Sequence, residues 1–105
     1  GHIVQGHVDG TAQVAAVRED GFARRVELAV SPELARYIVE HGSVTLDGVS
    51  LTVAVLTDGG FEVSLIPETL ERTNLGSVEP GRVMNVEVDV VARYVERLLS
   101  KKESR

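Results

Sequence analysis

The sequence predicts an all-β protein, a small antiparallel barrel carrying minor helices. The prediction rests on the repeated alternation of apolar and polar residues over short segments and on the turn signals that separate those segments. It also rests on the scarcity of helix-start chemistry, which is confined to two internal stretches and the C-terminal end. About six short strands fit this spacing.

The first strand is expected from about His2 to Val17, with Gly6 and Gly10 as bend or bulge points. Its even positions are His2 and then apolar or small residues, among them Val4, Val8, Ala12 and Val14. Its odd positions include Gln5, His7, Asp9, Thr11 and Gln13. Because side chains alternate across a strand, His7 falls on the polar face. Glu19-Asp20-Gly21 is a turn, and Ala23 to Val30 follows with Val26, Leu28 and Val30 inward. Ser31-Pro32-Glu33 then opens a helix, with Ser31 as N-cap and Pro32 at the first helical position. Leu34, Tyr37 and Ile38 share a face of that helix, and Gly42 is expected to close it in the left-handed conformation.

Val44 to Leu46, the Asp47-Gly48 turn and Val49 to Leu56 read as a hairpin. Val49, Leu51, Val53 and Val55 form an unbroken core face in this reading, which leaves Ser50 and Thr52 together on the other face. After Asp58-Gly59-Gly60 comes a strand from Phe61 to Ile66, then one short helix from Pro67 to Thr73. Gly76 and Pro80-Gly81 mark a loop before the strand Val83 to Val88. Asp89 is placed to cap a final helix, in which Val91, Val95 and Leu98 recur along one stripe flanked by Val90, Tyr94 and Leu99. The expected division is a barrel over 1–88 and a helix with its tail over 89–105.

The chain has 105 residues, enough for one domain and one core. Its net charge of −5 and the lack of a basic patch before Lys101-Lys102 argue against a nucleic-acid partner. No apolar run is long enough for a membrane helix, and no secretory signal is recognised, so the cytoplasm is the expected location. With no cysteine there is no disulfide, no thiolate nucleophile and no cysteine metal site. Gly1 rather than Met at the start is read as the mark of a processed product or of a piece of a longer chain.

The candidate sites follow from the strand faces. Ser50 and Thr52, adjacent on one face beside a tight turn, can hydrogen-bond a polar small molecule. Thr52 on its own is an ordinary strand former, and Ser50 after a turn is common. Ser50 lies inside a strand rather than at a strand-to-helix elbow, which argues against serine-hydrolase chemistry. Pro67-Glu68-Thr69 offers first-turn amides and a hydroxyl to an acceptor, or is plain helix-start chemistry. His7 suits proton transfer near neutral pH, or is a solvated surface histidine. His2 and His7 have opposite parity, so no metal site is read here. Glu87 and Asp89 share a face, as an acid–base pair or as a solvated edge followed by a helix cap. There is no phosphate-binding glycine loop.

Taken together, four segments resemble the second barrel of riboflavin synthase. They are Gly1-His-x-x-x-Gly-His-x-x-Gly10, Asp47-Gly-Val-Ser-Leu-Thr-Val53, Leu65-Ile-Pro-Glu-Thr-Leu-Glu-Arg-Thr-Asn-Leu-Gly76 and Asn85-Val-Glu-Val-Asp89. They occur in order, and the resemblance runs from Gly1 to about Leu99. It implies a six-stranded Greek-key barrel that binds 6,7-dimethyl-8-ribityllumazine. The implied reaction is a dismutation in which a four-carbon unit passes between two lumazines, giving riboflavin and 5-amino-6-ribitylaminopyrimidinedione. The resemblance implies no metal and no separate cofactor.

It further implies that Ser50, Thr52, Leu65, Ile66 and Thr69 line the ligand pocket. Ser50 and Asp89 are the positions implied for proton movement, and His7 matches a histidine that points to the neighbouring barrel. The implied partners are the N-terminal barrel of the same enzyme and, through the C-terminal helix, further copies in a trimer. The enzyme family has two barrels where this chain has one, and the first barrel carries a cysteine in the place of Ser50. Alone, the chain is therefore expected to bind ligand and to turn it over poorly. The alternative implied by the same barrel is a non-catalytic protein that holds lumazine or flavin.

Overall fold

A computed structural model describes residues 8–103, and the side chains of 8–99. His2, Gly6 and His7 lie outside the described residues. The described residues form six strands: β1 (Gly10–Asp20), β2 (Ala23–Ala29), β3 (Ser43–Leu46), β4 (Val49–Thr57), β5 (Gly60–Leu65) and β6 (Val83–Val88). Helices α1 (Pro32–Ala35), α2 (Pro67–Arg72) and α3 (Val90–Glu103) and a 3-10 turn (Asn74–Ser77) complete the order. The strands close in the order β1-β2-β5-β4-β3-β6, with β6 returning to β1 and every pairing antiparallel. The neighbours β2–β5 and β3–β6 are not consecutive in sequence, which makes the barrel a Greek key. Closure removes the unpaired edges that an open sheet would expose.

Three tight turns set the register. Asp20 pairs with Ala23 across Gly21-Phe22, and Gly21 has φ +63. Leu46 pairs with Val49 across Asp47 (φ 47) and Gly48 (φ 85), the left-handed pair that a type I′ hairpin requires and that Asp-Gly supplies at low cost. Thr57 pairs with Gly60, so Gly60 belongs to β5 and the turn is Asp58-Gly59.

The inward faces of all six strands fill one core, with Val14, Val26, Leu28, Val44, Leu46, Val53, Phe61, Val63, Met84 and Val86 at its centre. Leu34 and Ile38 join it from the α1 segment, and Leu75 and Val78 from the segment after α2.

Two bulges correct the expected strand faces. β1 begins at Gly10, continues past Val17 to Asp20, and slips register between Val14 and Ala16 rather than at Gly10. The extra residue inverts the alternation: Ala12 and Val14 face in before it, Val17 after it. The second slip lies between Val53 and Val55. Val55 therefore pairs with Glu62 and is exposed, and the unbroken core face expected through Val55 ends at Val53.

The α1 helix is also shorter than expected. Ser31 does cap it, its Oγ accepting the Leu34 N–H at 3.2 Å. After Ala35 the bonds tighten to three-residue spacing, Tyr37 N–H to Leu34 O and Ile38 N–H to Ala35 O, both 3.1 Å. Tyr37, Ile38 and Val39 are weaker helix formers, and Ile38 is drawn into the core. His41, with φ 69, takes the left-handed position expected of Gly42. Likewise α2 ends at Arg72, and the 3-10 turn occupies the loop expected around Gly76.

Asp89 caps α3: its Oδ1 accepts the Val91 N–H at 2.9 Å. Glu96 of α3 pairs with Arg36 of the α1 segment at 2.6 Å, yet Val91, Tyr94, Val95, Leu98 and Leu99 are all exposed. Its own barrel does not cover the apolar stripe. Among the described residues no helix is long and apolar enough to cross a membrane.

Candidate functional site

Register assembles the site. Residues directly opposite one another in an antiparallel pair point to the same face. Ser50 pairs with Thr45, and Thr45 pairs with Glu87. Glu87, Thr45 and Ser50 thus form one rung across β6, β3 and β4, on the outer face. Thr52 pairs with Ser43 in the next outward rung. The β3–β6 pairing reaches Val44↔Val88, so Ser43 and Asp89 are the residues next in line. Ser43 and Asp89 also line one cleft of about 380 Å³ beneath α3, together with Arg36, Tyr37 and Val95. The outer flank therefore carries two polar rungs side by side, Glu87–Thr45–Ser50 and Ser43–Thr52, with Asp89 just past the end of β6 in the same cleft as Ser43. Neighbouring strands lie about 4.8 Å apart, so the three-strand rung spans roughly 10 Å of backbone from β6 to β4.

Burial separates the rungs. Thr45 is 2% exposed and Glu87 7%, and they are the only polar residues buried among the described residues. Thr45, Ser50 and Glu87 each have an interaction partner. Thr52 is exposed, and Ser43 and Asp89 are half-buried. The solvated edge considered for Glu87 is thus corrected: its carboxylate, at the β6 end of the rung beside buried Thr45, is shielded by the chain around it. Thr45, Ser43 and the burial of Glu87 escaped the sequence reading. The alternation Ser43-Val44-Thr45-Leu46 is visible in the sequence, but which strands flank it is not.

The second wall comes from the β5–α2 corner. The Val53 N–H donates to Gly42 O and Val53 O accepts from the His41 N–H, both 2.8 Å. Backbone direction alternates along a strand, so the amides of Ser50 and Thr52 point the other way, towards β5. The β4–β5 rungs run only from Val53↔Val63 to Thr57↔Gly60. The first half of β4 therefore faces the end of β5 and the start of α2, where Ile66 and Thr69 lie.

Ile66 is 53% exposed and Thr69 is half-buried, whereas Leu65 is 1% exposed with its side chain in the core. Leu65 thus has only its backbone to offer a ligand. Thr69 O accepts from Thr73 Oγ1 at 2.6 Å and from the Thr73 N–H at 3.1 Å. Gly76 closes the corner: a Cβ there would sit 2.4 Å from Leu70 O, so only glycine allows the approach.

A second cleft, of about 470 Å³, opens between the start of β1 and α3. Its two guanidiniums are engaged, Arg36 with Glu96 at 2.6 Å and Arg93 with Asp9 at 2.8 Å. Among the described residues no group of three or more His, Cys, Asp or Glu stands together to hold a metal. His7 lies outside the described residues.

A closed Greek-key barrel with hydroxyls and carboxylates arrayed on one outer flank belongs to the antiparallel barrels that present small-molecule sites on their surface. More particularly, the chain belongs to the lumazine binding domain family, whose model matches residues 5–89. It is 47% identical over 102 residues to riboflavin synthase of Actinobacillus pleuropneumoniae, covering 97% of this chain and 47% of that protein. It is 52% identical over 102 residues to riboflavin synthase of Mycobacterium tuberculosis (strain ATCC 25618 / H37Rv), covering 94% of this chain and 51% of that one. The chain thus spans about half the length of these relatives. Among solved structures it resembles LumP complexed with flavin mononucleotide, with TM-score 0.77 and 24% identity over 82% of this chain and 49% of LumP. It resembles LumP complexed with 6,7-dimethyl-8-(1'-D-ribityl) lumazine at TM-score 0.77 and 17% identity, over 84% of this chain and 49% of that one. At these identities the likeness to LumP is one of fold.

Proposed function

We propose that this chain acts as the second barrel of a riboflavin synthase and binds one 6,7-dimethyl-8-ribityllumazine on its outer flank. The observation that carries the reading is the pair of polar rungs beside the β5–α2 corner, in a chain that aligns with about half of each riboflavin synthase. Ser50 and Thr52 would hold the heterocycle by hydrogen bonds, with Ile66 against its apolar edge and the backbone at Leu65 and the Thr69 hydroxyl toward ring or ribityl oxygens. Asp89, with Ser50, would hold and move the proton, and His7 would face the second substrate.

The chemistry asks little beyond this. Two lumazines contain the same atoms as riboflavin plus 5-amino-6-ribitylaminopyrimidinedione, so four carbons move with no oxidant and no separate cofactor. What the site must supply is register between two stacked ligands and proton transfer, and positioning alone accounts for much of such a rate. An open outer flank suits a site completed by a first barrel. The exposed stripe of α3 suits assembly with further copies, proposed as a trimer in the cytoplasm.

A second reading, a barrel that holds lumazine or flavin without turnover, draws on the fold likeness to LumP. Titrating the chain with 6,7-dimethyl-8-ribityllumazine, with riboflavin formation followed before and after a first barrel is added, separates the two. Saturable binding with turnover only after addition supports the synthase reading. Binding with no turnover at any ratio supports the holding protein, and no binding in either state sinks both.

A further inference from the structure

The two walls of the candidate site are joined by a side chain that belongs to neither. Arg82 lies just before β6 and is half-buried. Its Nη2 donates to Asp47 Oδ2 at 2.9 Å, and its Nη1 donates to Asn74 O at 3.2 Å. Asp47 is the first of the two left-handed residues of the turn that leads into Ser50 and Thr52. It is fixed twice more to β6: its Oδ1 accepts the Asn85 N–H at 2.7 Å and its own N–H donates to Asn85 O at 2.9 Å. Asn74 follows Thr73, whose Oγ1 holds the carbonyl of Thr69 at 2.6 Å. One guanidinium therefore spans from the turn at the head of β4 to the corner that carries Thr69. The path is an unbroken series of hydrogen bonds with one covalent step between Asn74 and Thr73.

We infer that Arg82 is a positioning residue for the candidate site, setting the β4 wall against the α2 corner without touching ligand. The inference rests on the lumazine-binding reading. A planar, forked guanidinium can serve a carboxylate and a carbonyl at once in fixed geometry, which the single ammonium of lysine does not reproduce. Charge-assisted bonds are among the stronger ones available, and the one to Asp47 is partly shielded from water.

The test is Arg82→Lys in the full chain, read by fluorescence titration with 6,7-dimethyl-8-ribityllumazine and by amide hydrogen exchange. The expected affinity loss is about tenfold, the scale of one hydrogen bond to a charged group. Thr69→Val should weaken binding less in the Arg82→Lys background than in the wild type, since both changes act on one wall. Exchange should quicken over residues 67–77 and stay unchanged in the strands. A folded Arg82→Lys chain with wild-type affinity overturns the inference, as does strict additivity with Thr69→Val. So does loss of protection across the barrel, or failure of the variant to fold, which would make Arg82 a general stability residue. If the wild-type chain binds no lumazine, the binding reading fails instead, and hydrogen exchange alone decides whether Arg82 orders the corner.

Discussion

The Asp9 carboxylate holds the junction of barrel and helix with both oxygens. Oδ1 receives Arg93 Nη1 from the first turns of α3 at 2.8 Å, and Oδ2 receives the Val88 N–H at the end of β6 at 2.8 Å. The residues are 84 apart in sequence, so the contact ties the start of the chain to its final helix. The two halves of the contact are unequal. The Asp9 side chain is 11% exposed, while Arg93 is half exposed.

Asp9→Ala strips the acceptor from a shielded backbone N–H and should cost about 2 kcal/mol. Arg93→Ala breaks only the exposed side of the pair and should cost less than about 1 kcal/mol. Urea denaturation of the two variants checks the order, and an equal or reversed cost would contradict it.

Gly76→Ala forces a Cβ against Leu70 O and should destabilise by about 1–3 kcal/mol, the range of overpacking a filled site. Gly59→Ala is the matched control, since nothing lies within 4 Å of its Cβ position. Thermal denaturation should show a clear loss for the first variant and little change for the second.

Thr52→Val removes an exposed hydroxyl from β4 and keeps a strand former in place. Its melting temperature should stay near wild type while lumazine affinity falls by about threefold to tenfold, the scale of one neutral hydrogen bond. Thr45→Val removes a buried hydroxyl and should cost about 1 kcal/mol of stability as well. Parallel melting curves and ligand titrations decide whether binding and stability separate in this way.

Val95→Glu with Leu98→Glu places charge on the exposed stripe of α3. Association of the chain, followed by sedimentation against concentration, should fall sharply. The midpoint of urea unfolding for the barrel should move little, because neither side chain belongs to the core. A collapse of barrel stability would show that the stripe packs on its own barrel instead.

Much of this architecture is legible in the residues. Asp47-Gly48 names its own turn because few pairs adopt two left-handed positions in succession. Ser31 and Asp89 announce the helices they cap, because capping depends on residues only a few positions away. The outward placement of Ser50 and Thr52 follows from strand parity as long as no bulge intervenes, and the bulge comes only after Val53.

What failed has a common cause. The bulge between Val14 and Ala16 leaves no local mark, since alanine at Ala15 suits a regular strand as well as an irregular one. The early end of α1 is imposed by the core that claims Ile38 and by the need to deliver β3.

By itself, the sequence determined the class of fold, most of the turns, the caps at Ser31 and Asp89, and the apolar face of a strand up to the point where a bulge intervenes. These are contests among residues close together in the chain, settled by local sterics and hydrogen bonding. Only the tertiary structure decided that Glu87 lies buried in one rung with Thr45 and Ser50, and that Arg82 links Asp47 to Asn74. Those relationships depend on which strands become neighbours when the barrel closes, and closure is settled by the whole core at once.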